Sequence, residues 1–380
     1  MNRIRRKIET ILYGNEKTQL LSVAALLSVI SSGYTGVIET RNLFYRLGLF
    51  RSKKLPCRVI SIGNLCVGGT GKTPMTIYTA NMLTDMGYAV SIVSRGYKGR
   101  AEKTGGIVSN GRDITMGPDT AGDEPYMIAR SINDIPVIVG KNRYEAGMTA
   151  ANRFQSDVIV LDDAFQHRKL FRDIDLVLLD YKAPFGNSRL LPRGRLREPM
   201  SSLSRSTGIV LTRSEVVPDG KKKDPLARAV VFLKEQPVFS SRHVPYLYAV
   251  VKSGCPEPSR PSPYPDTGSF EVIKGKNVFA FSGIAGNDDF KKTIERLQCR
   301  VIDFIGFPDH HRYSNQDLEG LFRSAKDANV DYVITTEKDY VRMYRDVSWP
   351  VDLVVIGIKI SLGEDKAAFE RFLTSRLQPI

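Results

Sequence analysis

The sequence predicts an α/β protein: two domains built on parallel sheets, preceded by a hydrophobic N-terminal helix. Three observations carry this prediction. Short apolar runs recur, each followed by a turn and then a helical pattern, which is how parallel strands with crossover helices read. One of these runs passes directly into a glycine-rich turn and a helix. A proline-rich stretch, SGCPEPSRPSPYPDTGS over residues 253–269, suits neither a strand nor a helix interior and separates a first series of runs from a second.

The elements follow in order. Residues 18–38 carry no formal charge, contain the apolar core LLSVAALLSVI and come after Arg3, Arg5, Arg6 and Lys7. That pattern favours a helix lying in or dipping into a membrane interface over a buried core helix or a true span, the last being weakened by the Ser and Gly content. The first series of strands is expected at 58–62, 89–93, 136–139, 158–161, 176–179 and 209–211. The second series comprises strands at 278–281, 301–305, 332–334 and 353–356, with helices near 288–297, 315–328 and 364–377. The expected division is therefore 1–45 for a membrane-associating segment, 46–240 for the first domain, and 241–380 for a smaller second domain that includes the proline-rich loop.

Composition narrows the function. The 380 residues are 42% hydrophobic and 25% charged, which excludes disordered and collagen-like chains. An excess of 55 Lys+Arg over 41 Asp+Glu gives +14, so anionic partners are expected: nucleotide phosphates, an acidic membrane surface or nucleic acid. A nucleic-acid binder has no motif in its favour, and aromatic residues do not interleave with the basic clusters. The four cysteines lie far apart, without the spacing of a zinc site or a disulfide framework, so a reducing cytosol is the default.

The most informative stretch is RVISIGNLCVGGTGKTPMTIYTANML, residues 58–83, a strand, glycine-rich turn and helix in P-loop order. This context makes the first domain a P-loop NTPase type of sheet. Gly68, Gly69, Thr70 and Gly71 would present backbone N–H groups to phosphates. Lys72 would reach the β and γ phosphates, and Thr73 would offer its hydroxyl to Mg²⁺. Cys66 stands where the strict pattern has its first glycine, and Val67 where partition-type ATPases carry an additional lysine. Two later strands end in aspartate, at Asp162-Asp163 and at Asp180. The first pair is preferred for metal and water positioning, because AFQHR follows it and gathers Gln166 and His167 at the carboxyl end of a strand.

With GNLCVGGTGKTP, GDEP, LDDAFQHR, GRLREP, FPDHH and TTEKD read in that order, nearly the whole chain resembles the tetraacyldisaccharide 4'-kinase family of lipid A biosynthesis. The resemblance implies ATP-dependent phosphorylation of the 4'-hydroxyl of an acylated glucosamine disaccharide 1-phosphate, at the cytoplasmic face of the bacterial inner membrane. It places the catalytic base at Asp123 of GDEP and its partner histidine at His310, brought from the second domain and completed by closure. Substrate contacts are expected from Gln166, His167, Arg197 and Glu198, within or beside a run where Arg189, Arg193, Arg195 and Arg197 crowd together. The plainer reading of that run is a solvated basic loop, and of TTEKD a helix-start cap. ATP and Mg²⁺ are the expected cofactors, and a monomer that binds no nucleic acid is the expected state. The rival reading is a P-loop ATPase or GTPase switch acting on a protein partner. The absent lysine at Val67 and the GDEP and DHH segments weigh against it.

Overall fold

The structure is a computed structural model that describes residues 23–214, 226–227, 229–254, 270–343 and 347–377. The basic N-terminal residues, the lysine run at 221–223 and the proline-rich stretch from Cys255 to residue 269 lie outside the described residues.

In chain order the chain forms α1 (Val23–Arg46), β1 (Arg58–Asn64), α2 (Lys72–Asp85), β2 (Val90–Ser94), β3 (Gly106–Ser109), the single turn α3 (Pro118–Ala121), α4 (Asp123–Ser131) and β4 (Val137–Val139). There follow α5 (Arg143–Phe154), β5 (Val158–Asp162), β6 (Ile174–Asp180), β7 (Gly208–Thr212), β8 (Val238–Ser240) and β9 (Arg242–Val251). The remainder is β10 (Asn277–Ser282), α6 (Asn287–Arg296), β11 (Arg300–Gly306), α7 (Asn315–Asp327), β12 (Tyr332–Thr336), α8 (Glu337–Arg342), β13 (Leu353–Ser361) and α9 (Lys366–Leu377). Every strand the apolar runs predict is present. The runs miss β3, β8 and β9: two are only three or four residues long, and β9 is an edge strand interrupted by Pro245.

By its contacts the chain falls into two compact units, neither contiguous in sequence. The first comprises Met1–Thr76, Ser156–His243 and Ile360–Ile380, the second Ile77–Gln155 and Val244–Lys359. The linear division expected at 240 is close to one boundary, but the segment Ile77–Gln155 groups with the C-terminal part.

In the first unit the strands lie in the order β5-β1-β6-β7-β8, all parallel. β1, β5 and β7 are buried along almost their whole length, as parallel strands covered on both faces require, which explains their uninterrupted apolar runs. Their core includes Leu65, Phe165, Val177, Leu179, Ile209 and Leu211. In the second unit β4 pairs with β2 in parallel and with β3 antiparallel, and a separate sheet has the order β11-β10-β12-β13-β9. Phe279, Phe281 and Trp349 pack within that sheet's core, the rings of Phe281 and Trp349 stacked 5.7 Å apart.

Helix α1 is turned the opposite way from an ordinary surface helix. Ala24, Ser31 and Ile38, seven residues apart, form its buried stripe, while Leu26, Val29, Ile30 and Val37 are 50–71% exposed. It is held to the first unit by polar bonds: Ser31 Oγ donates to Leu190 O (2.8 Å), Tyr34 OH to Arg197 O (2.9 Å), and Arg41 pairs with Glu198 (2.7 Å). It is long and apolar enough to cross a membrane by length and composition.

Candidate active site

The P-loop runs from the carboxyl end of β1 into α2. Gly68 and Gly71 have φ of 116° and 82°, a region that disfavours any side chain, so these two positions require glycine. Cys66 does not have a positive φ, so this position does not demand the glycine of the strict pattern. Its thiol is buried beside Pro184 O, and burial raises its pKa to about 11, so it is an inert packing group.

The basic run after residue 188 braces this loop. Val67 N donates to Arg195 O (2.8 Å), Arg197 N donates to Leu65 O (2.7 Å), and the Arg195 guanidinium donates to Val67 O. Arg213 donates to Gly69 O (2.9 Å) and pairs with Asp180 (2.6 Å), so the second strand-end aspartate anchors an arginine that holds the loop. The sequence signal for this bracing was the density of arginines, but nothing in their spacing assigned them to the P-loop backbone.

Asp162 and Asp163, adjacent in sequence, have different environments. Asp162 ends β5 opposite Ile62 of β1, is buried, and accepts a hydrogen bond from Thr76 Oγ1 (3.1 Å). Asp163 adopts a left-handed φ of 47° and faces Lys72 Nζ at 3.9 Å, with Arg197 Nη1 at 2.9 and 3.0 Å from its two oxygens. Such strain in a non-glycine residue at the end of a strand is characteristic of functional sites. Arg197 also reaches Gln166 Oε1 (3.5 Å), and Gln166 Nε2 donates to Asn64 O (2.8 Å). Lys72, Asp163, Gln166 and Arg197 therefore form one cluster, with partly buried His167 next in sequence to Gln166. Thr70 and Thr73 are buried, and Thr70 Oγ1 accepts from Asn64 Nδ2 (2.9 Å).

Glu198, expected at the substrate, is fully buried and enclosed by Arg41 (2.7 Å), Arg205 (2.9 Å) and Ser202 Oγ (2.9 Å). Burial alone would raise its pKa. Arg205 and Arg41 outweigh that and hold the carboxyl below its ordinary value.

The second cluster lies in the second unit. Gly122, at φ 93°, is the N-cap of α4 and packs against the Gly96–Tyr97 backbone, which places Asp123 in the first turn of that helix. His310, itself at φ 58°, follows β11 and sets its Nδ1 3.9 Å from Asp123 Oδ2. His311 points elsewhere: it stacks on Phe307, and its Nε2 lies 3.2 Å from Asp317 at the start of α7. The histidine beside Asp123 is thus His310. Both partners of the pair fall within one compact unit, which differs from the expected division across two domains. The physical reason is the packing of α4 with α8, whose Arg342 contacts both residues. Burial pushes the Asp123 carboxyl up, but His310 and Arg342 outweigh it and hold it below its ordinary value, so it stays an ionised acceptor.

Among the described residues no cluster of three His, Cys, Asp or Glu could hold a metal. A magnesium ion needs no such cluster when phosphate oxygens, water, a threonine hydroxyl and one carboxylate supply its ligands.

Comparison with known proteins gives this geometry its context. The model of the family described as tetraacyldisaccharide-1-P 4'-kinase matches residues 23–378. The tetraacyldisaccharide 4'-kinase of Syntrophus aciditrophicus is 41% identical over 326 residues, 84% of each chain. That of Desulfatibacillum aliphaticivorans is 38% identical over 384 residues, covering 100% of this chain and 99% of the relative. A crystal structure of LpxK from Aquifex aeolicus in complex with ATP superposes with a TM-score of 0.71 at 31% identity, covering 94% of this chain and all of that one. From its P-loop to TTEKD, the chain belongs to the tetraacyldisaccharide-1-P 4'-kinase family.

Proposed function

We propose that this protein transfers the γ-phosphoryl group of ATP to the 4'-hydroxyl of an acylated glucosamine disaccharide 1-phosphate, a step of lipid A biosynthesis. The observation that carries the reading is Lys72 facing Asp163 at the carboxyl ends of β1 and β5, in a chain matched along its length by kinases named for that reaction.

Phosphoryl transfer asks a protein for charge neutralisation, alignment and a proton acceptor. The phosphate-binding residues belong to the first unit. Gly68–Gly71 offer backbone N–H groups and Lys72 a point charge. Thr73 and Asp162 are the oxygen donors suited to Mg²⁺, an ion that neutralises phosphate charge when bound. Asp163, tied up by Lys72 and Arg197, orients those cations and serves the metal indirectly. Gln166, His167 and Arg197 are the substrate-facing candidates. Glu198 acts at one remove, by fastening α1 to the loop that carries Arg197.

The second unit supplies the acceptor. The O–H bond of the 4'-hydroxyl breaks and its proton passes to the Asp123–His310 pair. The oxygen forms a bond to the γ-phosphorus, and the bond to the β,γ-bridging oxygen breaks, leaving ADP with the electron pair. The outward apolar face of α1 supports docking on the cytoplasmic face of the inner membrane, where acyl chains of the substrate reside. A monomer is the proposed state.

The test is purified protein with ATP, Mg²⁺ and the acylated disaccharide phosphate, reading nucleotide consumed and phosphate incorporated into lipid. One phosphate per ATP, lost in Lys72→Ala, is expected. ATP turnover with no phosphorylated lipid would overturn the kinase reading and favour a nucleotide switch.

A further inference from the structure

We propose that Arg342 of the TTEKDYVR segment is a positioning residue for phosphoryl transfer: one buried guanidinium grips both Asp123 and His310 and sets their orientation. The inference rests on the assignment of Asp123 and His310 as the proton-accepting pair.

The geometry is specific. Arg342 Nε donates to Asp123 Oδ2 (3.0 Å), Nη1 donates to Gly283 O (2.7 Å) and to Asp339 Oδ1 (3.3 Å), and Nη2 lies 3.1 Å from His310 Nδ1. The side chain is 2% exposed, so these contacts are made in a desolvated setting. All three guanidinium nitrogens are used, in a fork that a lysine ammonium cannot reproduce. Gly283 O also accepts from His310 N (3.2 Å), so the same carbonyl anchors the arginine and the histidine backbone.

A guanidinium only donates. The ring nitrogen it meets, Nδ1, is therefore the acceptor in that contact. The same cation favours an ionised Asp123. Arg342 therefore helps keep Asp123 in the carboxylate form that can receive the substrate's proton.

The rest of the segment fixes the arginine. Thr336 caps α8, accepting from Asp339 N (3.1 Å) and donating to Asp339 Oδ2 (2.6 Å). Asp339 is fully buried and sits three residues before Arg342 on the same helical face. Lys338 pairs with Glu124 on α4 (3.4 Å), and buried Glu337 accepts from Ser131 Oγ of α4 (2.8 Å) and from Tyr246 OH of β9 (3.0 Å). Lys338 and Glu337 thus tie α8 to both ends of α4, and Glu337 also ties it to β9. Among the described residues, the charged and titratable groups around the pair include Arg342, Asp339 and Lys338 from α8, Glu124 from α4, Asp309 from the loop after β11, 4.0 Å from His310 Nε2, Tyr97, whose ring lies 6.4 Å from that of His310, and Tyr313 beside Asp339.

The experiment compares wild type with Arg342→Lys, Arg342→Gln, the paired Arg342→Gln/Asp339→Asn, Asp123→Ala, and Asp123→Asn with and without Arg342→Lys, measuring kcat, KM for ATP and the pH dependence of kcat/KM with the lipid substrate. The paired variant covers the case in which Arg342→Gln alone fails to fold with Asp339 left uncompensated. Arg342→Lys should lower kcat at least about tenfold with KM for ATP within about twofold, because the fork is lost and the charge kept. Its acid limb should stay near that of wild type, whereas loss of the charge in either Gln variant should move the limb to higher pH. In an Asp123→Asn background, Arg342→Lys should have little further effect. Wild-type kcat in Arg342→Lys, an unmoved acid limb in the Gln variants, or a full additive loss in the Asp123→Asn background would each overturn the positioning role. Wild-type kcat in Asp123→Ala would instead overturn the acceptor assignment on which it stands.

Discussion

Glu198 is where the structure departs furthest from a substrate-contact reading, and its replacement by glutamine offers a quantitative check. The side chain has no exposed surface, and its two carboxylate oxygens meet Arg41 at 2.7 Å and Arg205 at 2.9 Å. Glutamine preserves the volume and an acceptor for Ser202 but removes the charge that both arginines face. Disrupting a buried ion pair by removing one partner costs about 3–5 kcal/mol. Because Arg41 and Arg205 are 29% and 17% exposed and can recover some hydration, the lower end of that range, about 3 kcal/mol, applies. With an unfolding entropy of about 2.1 cal/mol/K per residue, this corresponds to a fall in Tm of about 4 °C if the whole chain unfolds together and about 8 °C if the first unit unfolds alone. The Glu198 carboxyl lies below its ordinary value of 4.5 in the folded protein. Its contribution is therefore complete above that value and is lost as pH falls through the folded value, so the gap between wild type and variant should close in acid. Thermal unfolding over a pH series, with Glu271→Gln at an exposed carboxylate as control, is the assay. A Tm within 1 °C of wild type at neutral pH, or a gap that widens on acidification, would refute the argument.

Two further outcomes are expected. Ser314 and Asp317 form a reciprocal capping box at the start of α7, and hydrogen bonds from Ser314 hold Asp317 below its ordinary value. Ser314→Ala should cost about 1 kcal/mol in denaturant titrations at neutral pH. Asp317's share of that cap should disappear only as pH falls below 3.8 toward the folded value, and a cost unchanged in strong acid would count against it. On α1, Leu26→Asp with Val29→Asp alters side chains that are 62% and 71% exposed, so Tm should hold while binding to vesicles of anionic phospholipid falls in a sedimentation assay. Equal binding by the double variant would assign membrane docking to another surface.

Local patterns in the sequence were sufficient for much of this protein. A parallel strand buried on both faces announces itself as an apolar run, which is why β1, β5 and β7 were legible. The P-loop was legible because its chemistry depends on near neighbours, a strand, two obligatory glycines, a lysine and a threonine within one turn of chain. Asp123 and His310 were named through motifs of a family, and their separation of nearly half the chain hid the fact that they share a unit.

Only the tertiary structure decided which partners the charged residues have. Nothing near Glu198 in sequence shows that its carboxylate faces Arg41, 157 residues away, because a buried ion pair is specified by three-dimensional packing. Nor does TTEKD reveal by spacing that Arg342 reaches Asp123, 219 residues earlier, since helical periodicity tells which side chains share a face but not what that face meets. Helix α1 shows the same limit. Its apolar length was plain in the sequence, but which side turns outward depended on three hydroxyl and guanidinium contacts to a loop far along the chain.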